Sequence, residues 1–530
     1  MTPSISLSTA LETIWDTIVI GAGMGGSAVA LALAEKGCRV LVIERGKSTF
    51  DGTANVSATI EDPVARLAIG RWPQQLRGEV DQRRFDFHAP LGAGVGGSSM
   101  LYAAAVDRFR ASDFAPRRHP EGGTIGWPYS YDDLVPYYAR AEALLEVSGT
   151  PDPLEERPEE DLAAPPPLAP RDAYLFDRLE TAGLHPYRLH AGCRFVPGCM
   201  SCLGQLCLKD CKRHGGNTFL DPALKTGHVA LLPEAEVLEI CTTGPEVKTV
   251  RLRLDGQEAQ VSAKTFALAA GSYFSPVLLL QSSSEAWPTG LGNTQDQVGR
   301  HLMFHTGRPL AIWARRGLAQ NASGKTIVFR DLYDTEDGKF GEVQSTGAEA
   351  AYGNVVYALR QRLATSRYAK VPLLWHLARI PAFAASHLLG NAAIFEMIME
   401  DLPYADNRIV LDDTAPSGMR FEYQMRDELH ARYETYSHLM SQRLKGIKHM
   451  WLGSRDTALN YGHPMGTCRL GDDPATSVAD GEGRVHGVEN LYVADGAALA
   501  SSGGTNPSLT IAAHALRTGG LMAARIADQA

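Results

Sequence analysis

The stretch from Trp15 to Gly46 constrains this chain more than any other. A short apolar run, Thr17 to Ile20, meets Gly21-Ala-Gly23-Met-Gly-Gly26, and an Ala- and Leu-rich run follows to Lys36. Gly37 stands where a helix C-terminal glycine belongs. A second β-branched run, Arg39 to Ile43, ends at Glu44. A strand-helix-strand unit of this length implies a parallel sheet, because parallel neighbours need a crossover. The glycines allow a tight turn and let backbone N–H groups approach a pyrophosphate at the positive end of the helix. Glu44, an acceptor-only carboxylate, can take both ribose hydroxyls of an adenosine and would repel a 2′-phosphate. The unit reads as a dinucleotide site, with FAD and NAD both open at this point.

At 530 residues the chain is too long for one compact core, so two domains are expected. Net charge is -9 and no Lys/Arg-rich run occurs, which argues against nucleic acid as a partner. The first 23 residues lack a basic n-region, an apolar core and a twin-Arg pair, so the expected location is cytoplasmic. No uninterrupted apolar stretch is long enough to span a membrane. The closest, Pro372 to Met399, is broken by His376, Arg379, Pro381, His387 and Asn391. It reads as a buried or cleft-lining helix pair rather than a membrane-surface element, and its Leu, Ile, Phe, Trp and Met hint at a partly apolar alcohol.

Further motifs follow in order. His88-Ala-Pro-Leu-Gly-Ala-Gly94-Val-Gly96-Gly97-Ser98-Ser99 is a second glycine-rich loop, and Gly271-Ser-Tyr-Phe-Ser275-Pro276 a third marker. Near the C-terminus stand His463-Pro-Met-Gly466-Thr467, Tyr492-Val-Ala-Asp495-Gly496 and Gly504-Thr-Asn506-Pro507-Ser-Leu-Thr510. In this order they resemble the glucose-methanol-choline (GMC) oxidoreductase family, from about residue 15 to the end. The resemblance implies an α/β fold: a doubly wound, Rossmann-like FAD domain from separated segments (12–120, 214–304 and 455–530). It implies beside it an α+β substrate domain on a mainly antiparallel sheet (121–213 and 305–454), with a Cys-rich loop at 193–211.

By the same resemblance Gly21, Gly23, Gly26 and Glu44 hold the ADP half of FAD. Gly96, Gly97 and Ser98 pass close to the pyrophosphate and flavin, and Val237 meets adenine through its backbone. Asp495 bonds the pyrophosphate-ribityl region, with Gly496 and Thr510 in the cofactor-holding set. Leu101 stands where some members carry a flavin-linked histidine, so FAD is expected to be non-covalent. Tyr102 and Ser283 also depart from the family pattern.

The implied catalytic pair is His463 and Asn506, oxidising an alcohol to an aldehyde or ketone by hydride transfer to flavin N5. A neutral imidazole is a natural base for the hydroxyl proton near pH 7, so the rate should rise as it deprotonates. Asn506 offers a donor and an acceptor, and ahead of Pro507 it also reads as a helix N-cap. His514, inside that helix, reads as a packed or surface residue. The partners implied are a small alcohol and oxygen, a quinone or a redox protein as electron acceptor. The alternative is a non-redox FAD lyase of the same fold, like the hydroxynitrile lyases.

Five of eight cysteines crowd into Cys193, Cys199, Cys202, Cys207 and Cys211. The spacing of Cys202, Cys207 and Cys211 is similar to that of iron–sulfur ligands in GMC-type sugar dehydrogenases. Structural thiols or local disulfides are nevertheless the favoured reading, and no metal site is assigned.

Overall fold

The structure, a computed structural model, describes residues 4–529 apart from 51–61, 158–160, 200–201, 319–324, 348–351, 365, 367, 369–370 and 453–457. The strand Trp15–Ile20 lies at the heart of a parallel sheet, buried almost throughout. Val40–Ile43 pairs with it on one side and Gln257–Leu268 on the other, while Val229–Leu232 and Leu491–Val493 extend the two edges. The near-continuous Val/Ile/Leu character of these runs fits strands covered on both faces. The first half of Gln257–Leu268 leaves this sheet to pair antiparallel with Glu246–Leu254, which pairs in turn with Glu236–Thr243.

The helix Met24–Ala34 is buried on every side, which is why its residues are small or aliphatic with no polar stripe. It packs against the C-terminal helix Ser508–Asp528. A Cβ on Gly519 would come within 2.8 Å of Ala32 Cβ, so glycine sets how closely the two helices approach. Gly26 does the same between helix and turn: a Cβ there would lie 1.9 Å from the Gly21 carbonyl oxygen.

The second sheet is antiparallel. Met303–Trp313 pairs with Ala392–Met399, which pairs with Gly341–Ser345, and Ile327–Phe329 and Tyr187–Arg188 follow. His449–Trp451 and Ala458–Met465 share the far side of Met303–Trp313. Register sets Gln344 opposite both Glu396 and Val328. The doubly wound α/β domain and the substrate domain on an antiparallel sheet are thus both present. Pairing also crosses the expected boundaries. Ala458–Met465 belongs to the substrate sheet, and Leu76–Val80 pairs in parallel with Met419–Tyr423.

The apolar segment 372–399 departs from expectation. Pro372–Leu377 and Arg379–Leu389 are helices, but Ala392–Met399 is a strand. The first helix buries no residue, and the second buries only Ala382 and Leu389. An apolar composition does not say which face turns inward. Here Ala382 and Leu389 turn in, while Leu373, Ile380, Phe383 and Leu388 turn out. No described helix is long and apolar enough to cross a membrane.

Candidate active site

A cavity of about 610 Å³ runs along the carboxyl ends of the parallel strands, where open α/β sheets bind ligands. Its lining brings together Glu44, Arg45, Glu236 and Val237, the loop residues Gly21, Gly23, Gly97, Ser98, Asp495 and Gly496, and His463 with Asn506. The first two glycine loops meet here. Gly97 is in the left-handed region (φ 54°), and a Cβ on it would lie 2.8 Å from Gly23 Cα. Side chains would fill this channel, so the glycines keep it open for an extended ligand.

Two carboxylates brace the channel walls. Glu44 accepts from the backbone N–H groups of Ala22 and Gly46 at 2.9 and 2.7 Å, and burial raises its pKa. Asp495 accepts from Ser275 Oγ at 2.6 Å, Gly271 N at 2.7 Å and Ala497 N at 2.8 Å. Asp495 therefore ties the third sequence marker to the C-terminal one. Gly26 and Gly96 lie behind the lining: Gly26 spaces helix from turn, and a Cβ on Gly96 would strike His214. Thr510 is turned away altogether. Its hydroxyl bonds Tyr138 at 2.7 Å, because Pro507, Ser508 and Ile511 occupy the cavity-facing arc of the helix. Leu101 and Tyr102 line the cavity, Tyr102 donating to the Arg213 carbonyl at 2.5 Å.

Histidine 463 sits in the strand Ala458–Met465, half-buried at the cavity wall. Its Nδ1 lies 2.9 Å from Nδ1 of His305, whose Nε2 lies 3.0 and 3.1 Å from the carbonyl oxygens of Ser502 and Gly503. Carbonyls only accept, so His305 carries its hydrogen on Nε2. Burial pushes its pKa down to about 4, so the ring is neutral and its Nδ1 holds a lone pair. His463 must then donate from Nδ1, which leaves Nε2 as an acceptor. Asn460 Nδ2 also approaches His463 Nδ1, at 3.3 Å. That donor competes for the same nitrogen, but the shorter contact and the two carbonyls fixing His305 decide the tautomer. Burial, then His305 and Lys325, hold the His463 pKa well below the usual histidine range.

Asn506 is fixed by a second chain. Lys325 Nζ donates to Gln344 Oε1 at 2.7 Å, and Gln344 Nε2 donates to Asn506 Oδ1 at 2.7 Å. Ammonium groups only donate, so the whole chain has one direction. It leaves Asn506 Nδ2, which has no hydrogen-bond partner among the described residues, as the donor available at the cavity. This overturns the expected N-cap. The helix starts at Ser508 after Pro507, with no side-chain cap, because Gln344 takes the asparagine oxygen. Lys325 has its pKa lowered to about 8 by burial, against the pull of Glu342, Glu396 and Asp107. Lys325, Gln344 and His305 carried no sequence signal. His514 is a packed residue, fully buried, with Nε2 3.2 Å from the Val493 carbonyl oxygen.

The cysteine loop lies directly behind this wall, since Lys325 and Ala103 also line a smaller cavity with all five clustered cysteines. Cys193, Cys199 and Cys211 bring their sulfurs within 4.8 Å of one another, and Cys207 Sγ is 3.3 Å from Cys211 Sγ. The cluster is thus wider than the three positions picked out by spacing. All eight cysteines are free thiols, so the local disulfides that the sequence left open are not formed.

Two profiles described as GMC oxidoreductase match residues 15–307 and 403–515. The chain is similar to 6'''-hydroxyparomomycin C oxidase of Streptomyces lividus, 29% identical and covering 97% of this chain and 92% of that protein. It is similar also to 2-methyl-1,2-propanediol dehydrogenase of Mycolicibacterium austroafricanum, 27% identical over 97% and 96%. The crystal structure of a pyridoxine 4-oxidase shares the fold, with a TM-score of 0.64 and 18% identity over 95% and 98% of the two chains. These relatives are oxidases and dehydrogenases, which does not favour the lyase alternative. The chain belongs to the GMC oxidoreductase family, FAD-dependent oxidoreductases acting on CH–OH groups.

Proposed function

We propose that this enzyme oxidises a CH–OH group of a polar, hydroxyl- or amine-bearing substrate, with His463 as general base and Asn506 orienting the hydroxyl. The observation that carries the reading is the opposite polarity of two groups lining one cavity. His463 Nε2 accepts and Asn506 Nδ2 donates, each fixed by its own hydrogen-bond chain. An alcohol between them would give its proton to the imidazole while the amide N–H stabilises the charge developing on oxygen. FAD, when bound, supplies the hydride acceptor; the glycine channel, Glu44 and Asp495 would hold it. The positive end of the helix Ser508–Asp528 also faces this cavity and favours negative charge there.

The polar substrate class rests on Lys325, Gln344, Thr346 and Glu396, which line the cavity beside the reacting pair. Of the apolar segment 372–399 only Glu396 and Ile398 reach the lining, so that segment gives no support to an apolar substrate. The relatives named 6'''-hydroxyparomomycin C oxidase and paromamine 6'-oxidase agree with a sugar-like alcohol. The test is a turnover screen of an aminoglycoside, 2-methyl-1,2-propanediol and benzyl alcohol, each with oxygen and with a dye acceptor. Preference for the aminoglycoside supports the reading, and preference for benzyl alcohol overturns it. Free thiols throughout fit a reducing, cytoplasmic compartment.

FAD is held without a covalent bond on this reading. Leu101 has no nucleophile, and among the described lining residues the only histidine is His463, with no cysteine. Acid precipitation is expected to release the yellow chromophore into the supernatant, and colour in the pellet would contradict this.

We read the cysteine cluster as structural thiols. Burial raises the pKa of the Cys193 and Cys211 thiols, which favours their protonated form in the metal-free protein. Iron and acid-labile sulfide are expected near background in anaerobically prepared protein. Stoichiometric iron with sulfide would reverse the assignment.

A further inference from the structure

Between Glu349 and Glu396 the sequence holds Arg360, Arg362, Arg367, Lys370 and Arg379 and no acidic residue, within a chain of net charge -9. This stretch joins Gly341–Ser345 to Ala392–Met399, neighbouring strands of the substrate sheet. Its helices Pro372–Leu377 and Arg379–Leu389 are amphipathic in the wrong sense for a water-facing surface. Leu389 anchors them to Ala311 and Ala392, yet Leu373 is 63% exposed, Ile380 68%, Phe383 60% and Leu388 65%. Arg379 is exposed among them, and the Trp375 carbonyl is held by Arg360 Nε at 3.3 Å. A water-facing helix normally presents polar side chains outward, and a clustered apolar face marks a surface that is covered.

We propose that this helical insertion docks the enzyme onto an anionic phospholipid surface, lying in the interface rather than crossing it. Large apolar side chains enter the acyl boundary, and Arg379, exposed beside them, meets lipid phosphates. The helices are 6 and 11 residues long, far too short to span. The charge pattern sets lipid above a second copy of the chain. A two-fold interface places the same patch on both partners, and here it would bring two acid-free basic stretches together. The same insertion is tethered at both ends to strands bearing Gln344 and Glu396, so docking fixes the substrate wall relative to the lipid.

The experiment is flotation of the FAD-loaded full chain with vesicles of phosphatidylcholine containing phosphatidylglycerol, and with phosphatidylcholine alone, at low and high salt. Wild type should float with the anionic vesicles at low salt and be released by high salt. The double variant Ile380→Asp/Phe383→Asp should partition about tenfold less or weaker still, with unchanged flavin absorbance and melting temperature. Arg379→Ala should lose about fivefold. Equal partition of wild type and double variant, equal binding to neutral vesicles, or no flotation at all overturns the proposal. So does a wild-type dimer in light scattering that the double variant dissolves, which would assign the face to self-association.

Discussion

Replacing His463 by alanine is expected to lower kcat/KM for the alcohol by about 10²–10⁴-fold while FAD stays bound. That is roughly 3–5 kcal/mol of barrier at 1.36 kcal/mol per tenfold. The effect is large because the imidazole is asked to take a proton as the C–H bond breaks. The neighbouring groups cannot substitute: Asn506 presents a donor, and the neutral His305 faces two carbonyls. FAD binding should survive, because the channel glycines, Glu44 and Asp495 lie on other elements and bond to backbone amides rather than to His463. Steady-state kinetics beside flavin content per chain checks both halves. A variant that loses FAD in proportion to its activity would instead make His463 a cofactor-holding residue.

His305→Phe should slow the same reaction by about tenfold to a hundredfold, the range for losing a partner that orients a functional histidine. Phenylalanine removes the lone pair that accepts from His463 Nδ1. The imidazole is then free to place its hydrogen on Nε2, where it can no longer accept the substrate proton. His305 touches neither cavity nor substrate, so it is a positioning residue. A structural role would instead weaken substrate and cofactor binding along with rate. The expected signature is a lower limiting rate of flavin reduction with an unchanged dissociation constant for the alcohol, in protein of unaltered melting temperature. Equal loss in both parameters would contradict the tautomer argument.

Much of the fold was legible because its signals are local. Gly21 to Gly26 and Glu44 sit on one strand-turn-helix-strand unit whose geometry any such spacing dictates. His463 and Asn506 were legible through motif order, and both line the same cavity although 43 positions apart in the chain. What stayed hidden depends on sheet register. Gln344 reaches Asn506 across 162 positions, and His305 reaches His463 across 158, with no sequence spacing to announce either. Gln344 also explains the failed cap: a rule about neighbours in the chain gave way to a buried amide from another strand. The Pro372 to Met399 segment was misread for a related reason. Apolar composition reports that a surface is covered, and protein, membrane and ligand all cover surfaces.

The pH course of catalysis is expected to differ from what an ordinary histidine would give. Burial disfavours the charged imidazole, so His463 is neutral from neutral pH upward, and deprotonation falls in the acid range. Anaerobic stopped-flow reduction of the flavin, by an alcohol found in the turnover screen and over a range of pH, tests this together with the base itself. The wild-type rate should be flat from about pH 6.5, the ordinary histidine value, to about pH 8, where Lys325 begins to lose its proton, and fall at pH below that plateau. His463→Ala should reduce its flavin about 10²-fold more slowly or worse, without that acid limb. A variant that holds FAD and reduces it at the wild-type rate would show that His463 is not the base.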